Sequence, residues 1–312
     1  MCTTSKVTLA SKHKMRTWIS DTTHSGELSL KNKASRPTDF YRSTSGAFHG
    51  QWRAKGRLKD ALFDAKLALE WKRLRRVVRT VPVRRVLISG VAIPERTEQL
   101  HSVFDRMSNS QHHVTTKAVP CLQGKGKFQN LNAGLRDLDL DHFDWMVLVD
   151  DDVEFPDGFL DKFLYLSEVA NLHICMPAHR FRSYQTFRLT ARHWGGMVRI
   201  TQYVESGPIT AFSRTMFPHI FPFPELKWAW GTNIGWGESA RRMGYCIGIV
   251  DGTPIQHLRP VGGSYDVRLA TEEAEAFLAA EGIARSRQEI LSTVKTLSGA
   301  DIRAQMRARR AA

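Results

Sequence analysis

Residues 143–159 read FDWMVLVDDDVEFPDGF, and the rest of the chain arranges itself around them. The five apolar residues 145–149 are too few for a helix and show no polar alternation, the pattern of a strand buried on both faces in an α/β sheet. Asp150, Asp151 and Asp152 end the run. Side chains alternate along an extended backbone, so Asp150 and Asp152 are expected on one side and Asp151 on the other. Carboxylates at the carboxyl end of a central strand stand where an open α/β sheet places its ligand. Hard oxygen donors of this kind suit Mg2+ or Mn2+, and such an ion in turn binds a diphosphate. The plainer alternative is a solvated acidic turn ahead of a helix, with Asp157 as its N-cap.

The chain has 312 residues, enough for one large domain and an extension, and carries a formal net charge of +14. Residues 1–85 hold 20 Lys and Arg against 6 Asp and Glu, so the whole surplus lies in the first quarter and the remainder is neutral. Residues 1–56 are basic, polar and poor in clustered apolar residues, the composition of a disordered extension. Residues 57–80 turn helical, with Leu58, Leu62, Ala65 and Leu69 on one stripe and a basic C-terminal end. That helix has three readings: packing on the body, a peripheral contact with an anionic membrane surface, or a solvated charged helix end. Cys2, Cys121, Cys175 and Cys246 lack CxxC spacing, against a zinc ribbon or a disulfide framework and in keeping with a reducing, cytoplasmic setting. No apolar run reaches the ~20 residues of a membrane span, and residues 1–20 lack the apolar centre of a signal peptide.

Residues 83–91 (VRRVLISGV) read as the first strand, followed by Pro94, Glu95, Arg96 and a helix over 97–107, with a second strand over 113–119. Neither GxGxxG nor GxxxxGK[ST] is present, so no dinucleotide fingerprint or P-loop is available. In residues 124–135 (GKGKFQNLNAGL) two glycines free the backbone for close approach, and two lysines stand beside a helix starting near Phe128, an anion site in outline. Residues 179–193 (HRFRSYQTFRLTARH) alternate poorly and read as a mobile loop over the site or a solvated face. Residues 271–283, 286–297 and 302–312 read as C-terminal helices.

GKGKFQNLNAGL followed by a strand ending in DDD, then YVESGPITAFSR at 203–214 and WGTNIGWGESARRMGYCIGIV at 230–250 ahead of DGTPIQHLRPVGGSYD, resembles the nucleotide-sugar-dependent glycosyltransferases of the GT-A fold, particularly the bacterial family 2 type. The similarity covers residues 83–266, so the expected organisation is a GT-A catalytic domain over 81–266 and C-terminal helices over 267–312. The implied fold is a Rossmann-like α/β domain with a central, mostly parallel sheet flanked by helices. The implied activity is transfer of a sugar, of the hexosyltransferase type, from a nucleoside-diphosphate sugar to a hydroxyl acceptor, with Mn2+ or Mg2+. In the DxD pattern Asp150 becomes the ribose residue and Asp152 the metal ligand, and His257 completes the coordination. Pro94, Arg96, Lys127, Asn132 and Asp151 join Asp150 around the donor nucleotide. Trp230, whose flat indole suits a sugar ring, and Glu205 are the acceptor-side candidates, with a core aromatic and a solvated turn as the respective alternatives.

The chain departs from the family at the base. Aligning GIVD places the family's GWGLD over residues 229–233, so the usual Asp becomes Asn233, and an amide cannot take a proton from the acceptor hydroxyl. Glu238 is the nearest carboxylate, but on a regular helix it lies roughly 140° round from Asn233. Three explanations stay open: an irregular segment around Gly235 and Gly237 that lets Glu238 act, a retaining reaction without such a base, or a weak catalyst. Glu238 is the base candidate, with Asn233 lining the acceptor pocket. A nucleotidyltransferase or phosphohydrolase would use the same carboxylates, and a sugar-nucleotide sensor or a nucleic-acid binder acting through residues 1–85 is the non-enzymatic alternative; for nucleic acid, the neutral body argues against it.

Overall fold

The computed structural model describes Phe40 and residues 52–78, 82–260 and 266–311, all within the unit Ser35–Ala312; of the disordered extension expected over residues 1–56, residues 52–56 are helical instead, and the rest apart from Phe40 lies outside the described residues. In chain order the elements are α1 (Trp52–Val78), β1 (Arg85–Ala92), α2 (Thr97–Ser108), β2 (His113–Pro120), α3 (Lys127–Leu135), β3 (Trp145–Val149), β4 (Val153–Glu154), α4 (Phe159–Val169), β5 (Leu172–His179), β6 (Val198–Thr201), β7 (Ile209–Ser213), α5 (Phe217–Ile220), α6 (Thr232–Arg242), β8 (Cys246–His257), α7 (Val267–Ala280), α8 (Arg287–Ile290), β9 (Thr293–Leu297) and α9 (Gly299–Ala311).

The apolar run at 145–149 does form a strand, and all five of its residues are buried. Its side chains divide by parity. Trp145, Val147 and Val149 join Val86 and Ile88 of β1 in one core with α2 and α4, whereas Met146 and Leu148 join Leu87 in a second core with α3 and α6. Two covered faces explain why the run shows no polar alternation. The result is an α/β fold: a mixed sheet flanked by helices. Its strand order is β2-β1-β3-β7-β5-β8-β6-β9, with β4 paired to β8. The β2, β1 and β3 strands run parallel, as do β5 and β8, and β7 is antiparallel to both β3 and β5. Among the described residues no helix is long and apolar enough to cross a membrane.

The ends of the chain depart from the sequence reading. On α1 the stripe of Leu58, Leu62 and Leu69 faces outward, about 60% exposed. The helix docks instead through Asp60 and Asp64, which pair with Arg192 and Arg180, and through Leu67, Trp71 and Leu74 on the core of α4. These same pairs tie down residues 179–193, where a mobile loop or solvated face was expected; His179 and Arg192 are buried there. Over 286–297 a single helical turn, α8, gives way to β9, which pairs antiparallel with β6. Thr293, Val294 and Thr296 are β-branched or suited to a strand, and Ser286 with Glu289 caps only the first turn.

Candidate functional site

The acidic tip of β3 meets the end of β8. Val153 pairs with His257 in the short β4–β8 ladder, and the Leu258 amide donates to the Asp152 carbonyl at 2.9 Å. This pairing sets His257 Nε2 3.3 Å from Asp152 Oδ2. Burial lowers the basicity of His257, but the Asp152 carboxylate beside it, with Asp150 adding its charge, raises its pKa above the ordinary histidine value overall. The second ring nitrogen, Nδ1, is buried without a hydrogen-bond partner among the described residues. The backbone of His257 is held by the segment after β5: its amide donates to Ser183 Oγ at 2.7 Å, and its carbonyl accepts from the Tyr184 amide at 3.2 Å.

The three aspartates have three sets of partners. Asp150 accepts from Lys127 Nζ at 2.6 Å, and the same ammonium reaches the Ser206 carbonyl. Asp151 sits between Arg96 at 3.3 Å and Arg259 at 3.4 Å; burial pushes its carboxyl up despite Arg96. Lys127 opens α3, directly after the glycine-rich turn. Of the two glycines there, Gly124 has a positive φ of 76°, and Gly126 is approached by the Lys227 backbone, whose carbonyl leaves no room for a Cβ. The close approach at Gly126 is thus made by the chain itself.

Other predicted site residues are engaged elsewhere. Asn132 is buried and spends its amide on the Phe223 backbone, in both directions, and on Glu225. Glu205 is buried, accepting from Thr190 Oγ1 and the Thr186 amide and pairing with His179 Nε2 at 2.9 Å. Burial pushes its carboxyl up, but His179 and these donors hold it below its usual range. Trp230 packs half-buried against the cluster of Phe40, Phe187 and Tyr203. Pro94 and Arg96 form a single 3-10 turn after β1. Asn233 donates to the Tyr203 hydroxyl at 2.7 Å and to the Val204 carbonyl.

The α6 helix runs unbroken through Gly235 and Gly237. The irregular segment that would bring Glu238 round to the side of Asn233 therefore does not form. Glu238 turns to Arg241 and Arg242, at 2.6 and 3.0 Å, and chiefly the Arg241 guanidinium holds its carboxyl below the usual range. A carboxylate so held is a poor proton acceptor.

The donor set fits a divalent ion in a limited way. No group of three or more His, Cys, Asp or Glu side chains converges among the described residues. Two donors do, and adjacent ligands of an octahedral ion with bonds of ~2.1 Å stand about 3 Å apart, close to the separation of Asp152 and His257. Ions of this class commonly complete their shell with water and substrate phosphates, so two protein ligands suffice. Arg259, two residues beyond His257, was missed in the sequence reading; its only signal was that closeness.

No protein-family model and no curated protein matches the chain. Among solved structures it resembles a crystal structure of GalNAc-T7 with UDP, GalNAc and Mn2+, at 12% identity and a TM-score of 0.38. The likeness covers 57% of this chain and 37% of that one, so the chain spans little more than a third of that protein's length.

Proposed function

We propose that the chain is a divalent-metal-dependent glycosyltransferase that moves a sugar from a nucleoside-diphosphate sugar to a hydroxyl acceptor. The observation that carries this reading is the convergence of Asp152 and His257 at 3.3 Å, beside Asp150 and Lys127, at the carboxyl end of a buried central strand. Asp152 and His257 would hold Mn2+ or Mg2+, the imidazole favouring Mn2+. When bound, such an ion supplies neutralising charge for the departing diphosphate. Lys127 offers a fixed cation to the same phosphates, with Asp150 orienting it. Arg96 and Asp151 border the nucleotide on the β1 side. Asn233 and Glu238 do not provide a free carboxylate on the acceptor side, which favours a reaction without a general base from α6.

Calorimetric titration with UDP or GDP in the presence of Mn2+ tests the reading. The wild type should bind one of them, and Asp152→Asn and His257→Gln should each weaken Mn2+-dependent binding by about tenfold or more. Absence of any nucleoside-diphosphate binding rejects it. Release of pyrophosphate or monophosphate from a nucleotide sugar, in place of nucleoside diphosphate, would assign the site to nucleotidyl transfer or phosphohydrolysis.

A further inference from the structure

A cavity of about 220 Å³ adjoins His257, lined by Arg57, Arg182, Tyr184, Gln256, His257 and Leu258. Its character is cationic and hydrogen-bonding, with one aliphatic side chain. The neighbouring arginines are matched to acids: Arg180 to Asp64, Arg192 to Asp60 and Asp64, Arg96 and Arg259 to Asp151. Arg57 and Arg182 differ, since neither forms an ion pair with an acidic side chain among the described residues. Two guanidiniums facing one cavity without an acid between them repel each other, and an anion placed there relieves that cost. A phosphate group matches two guanidiniums in both charge and geometry, because each planar fork can donate two hydrogen bonds to its oxygens.

The placement of Arg57 follows from how α1 docks. Asp60 Oδ1 accepts from the Phe181 amide at 3.1 Å and from Arg192 at 3.2 Å, and Asp64 accepts from Arg180 at 2.6 Å. Gly56 lies against the Phe181 backbone, where a Cβ would be in ordinary contact at 3.5 Å. The first turns of α1 are therefore clamped to the segment after β5, and Arg57 is brought to Arg182 and Tyr184. None of the elements that border the nucleotide, namely β1, the turn at Pro94–Arg96, α3 and β3, contributes to the lining. The donor's diphosphate has its own cation in Lys127.

We propose that this cavity binds a phosphate group carried by the acceptor, held by Arg57 and Arg182, so that the acceptor is a phosphorylated molecule presenting its hydroxyl beside Asp152 and His257. This rests on the glycosyltransferase reading above and adds the chemical class of the acceptor. It also gives α1 a task, since that helix lies outside the stretch that resembles a known family.

Two titrations of the full chain test it, on the wild type and on Arg57→Ala/Arg182→Ala. Both side chains are exposed, and an unchanged thermal melt confirms that the variant folds. In the first, inorganic phosphate and phenyl phosphate are followed by 31P NMR; the wild type should bind phenyl phosphate, and the variant should bind it at least roughly tenfold more weakly. In the second, UDP and GDP with Mn2+ are followed by calorimetry, and the two proteins should bind alike. Equal phenyl phosphate binding by both proteins, or none by the wild type, overturns the acceptor assignment while leaving donor binding intact. An equal loss in both titrations also overturns it, because the cavity would then serve the donor's diphosphate. Phosphate binding that depends on the two arginines, in a wild type that takes no nucleoside diphosphate, sinks the sugar-transfer reading and the acceptor role with it.

Discussion

Gly207 shows how narrowly Asp150 is placed. A Cβ added there would stand 2.6 Å from Asp150 Oδ2 and 3.4 Å from Lys127 Nζ. The colliding atom ends a short, movable side chain, so relief comes from displacing the carboxylate and not the backbone. Gly207→Ala should therefore change stability by less than about 1 kcal/mol in chemical denaturation, yet weaken UDP or GDP binding with Mn2+ by roughly fivefold to tenfold. Equal affinities for wild type and variant would mean that Asp150 takes no part in donor binding. Asp150 and Asp152 were legible as residues of interest because acidic runs after apolar strands are locally recognisable; His257 carries no such local pattern and stood out only through the resemblance of its surroundings to a known family. Asn132 and Glu205 looked equally promising, and their side chains turn out to be spent on Phe223, Glu225, His179 and Thr190. A polar residue's partner is a matter of contact, which no local pattern carries.

At the scale of elements, α1 inverts its own pattern. Periodicity points to Leu58, Leu62 and Leu69 as the docking face, but the helix is seated by a buried pair, Asp60 with Arg192, whose side chains are 3% and 2% exposed. Removing one member of such a pair strands the other charge away from water. Arg192→Ala should thus lower unfolding free energy by about 3 kcal/mol, whereas Leu62→Gln should stay within about 0.5 kcal/mol. Urea denaturation of the two variants decides the matter; the opposite ranking would show that the helix is held by its leucines. The strand β9, where a helix is expected, forms for a related reason. The Ser286–Glu289 cap supports a single turn, and beyond it the open edge of β6 offers backbone hydrogen bonds to residues 293–297.

For the whole molecule, stability against pH follows from groups that burial and pairing have shifted. His112 is buried; burial lowers its pKa below the usual 6.5, and its Nδ1 accepts the Arg84 amide at 3.2 Å, which requires the neutral ring. The unfolded chain therefore takes up this proton more readily than the folded one. Stability is complete above 6.5 and declines as pH falls below it. Glu205, whose folded carboxyl is depressed, adds a second loss as pH falls from its usual 4.5 towards its lower folded value. His257 works in the opposite sense: its raised pKa contributes stability below 6.5 that fades as pH rises through the folded value. The thermal midpoint should drop between about pH 6.5 and pH 5 in the wild type, and less so in His112→Gln. A parallel drop in both proteins would exclude His112 as the cause.

The amino-acid sequence by itself determined the α/β class, the buried strand at 145–149 with its acidic end, and the basic helix ahead of the sheet. Such features need only periodicity and near neighbours along the chain. Tertiary structure decided that His257 stands against Asp152, that Glu238 belongs to Arg241 and Arg242, and that Arg57 reaches the cavity beside His257. Each of the first and last joins residues far apart in the chain, brought together by the β4–β8 ladder and by the docking of α1 through Asp60 and Asp64. Glu238 and its arginines are close in sequence, yet its direction was settled by whether α6 stayed regular through two glycines, a choice made by packing of Ile234, Trp236 and Ala240 into the surrounding cores.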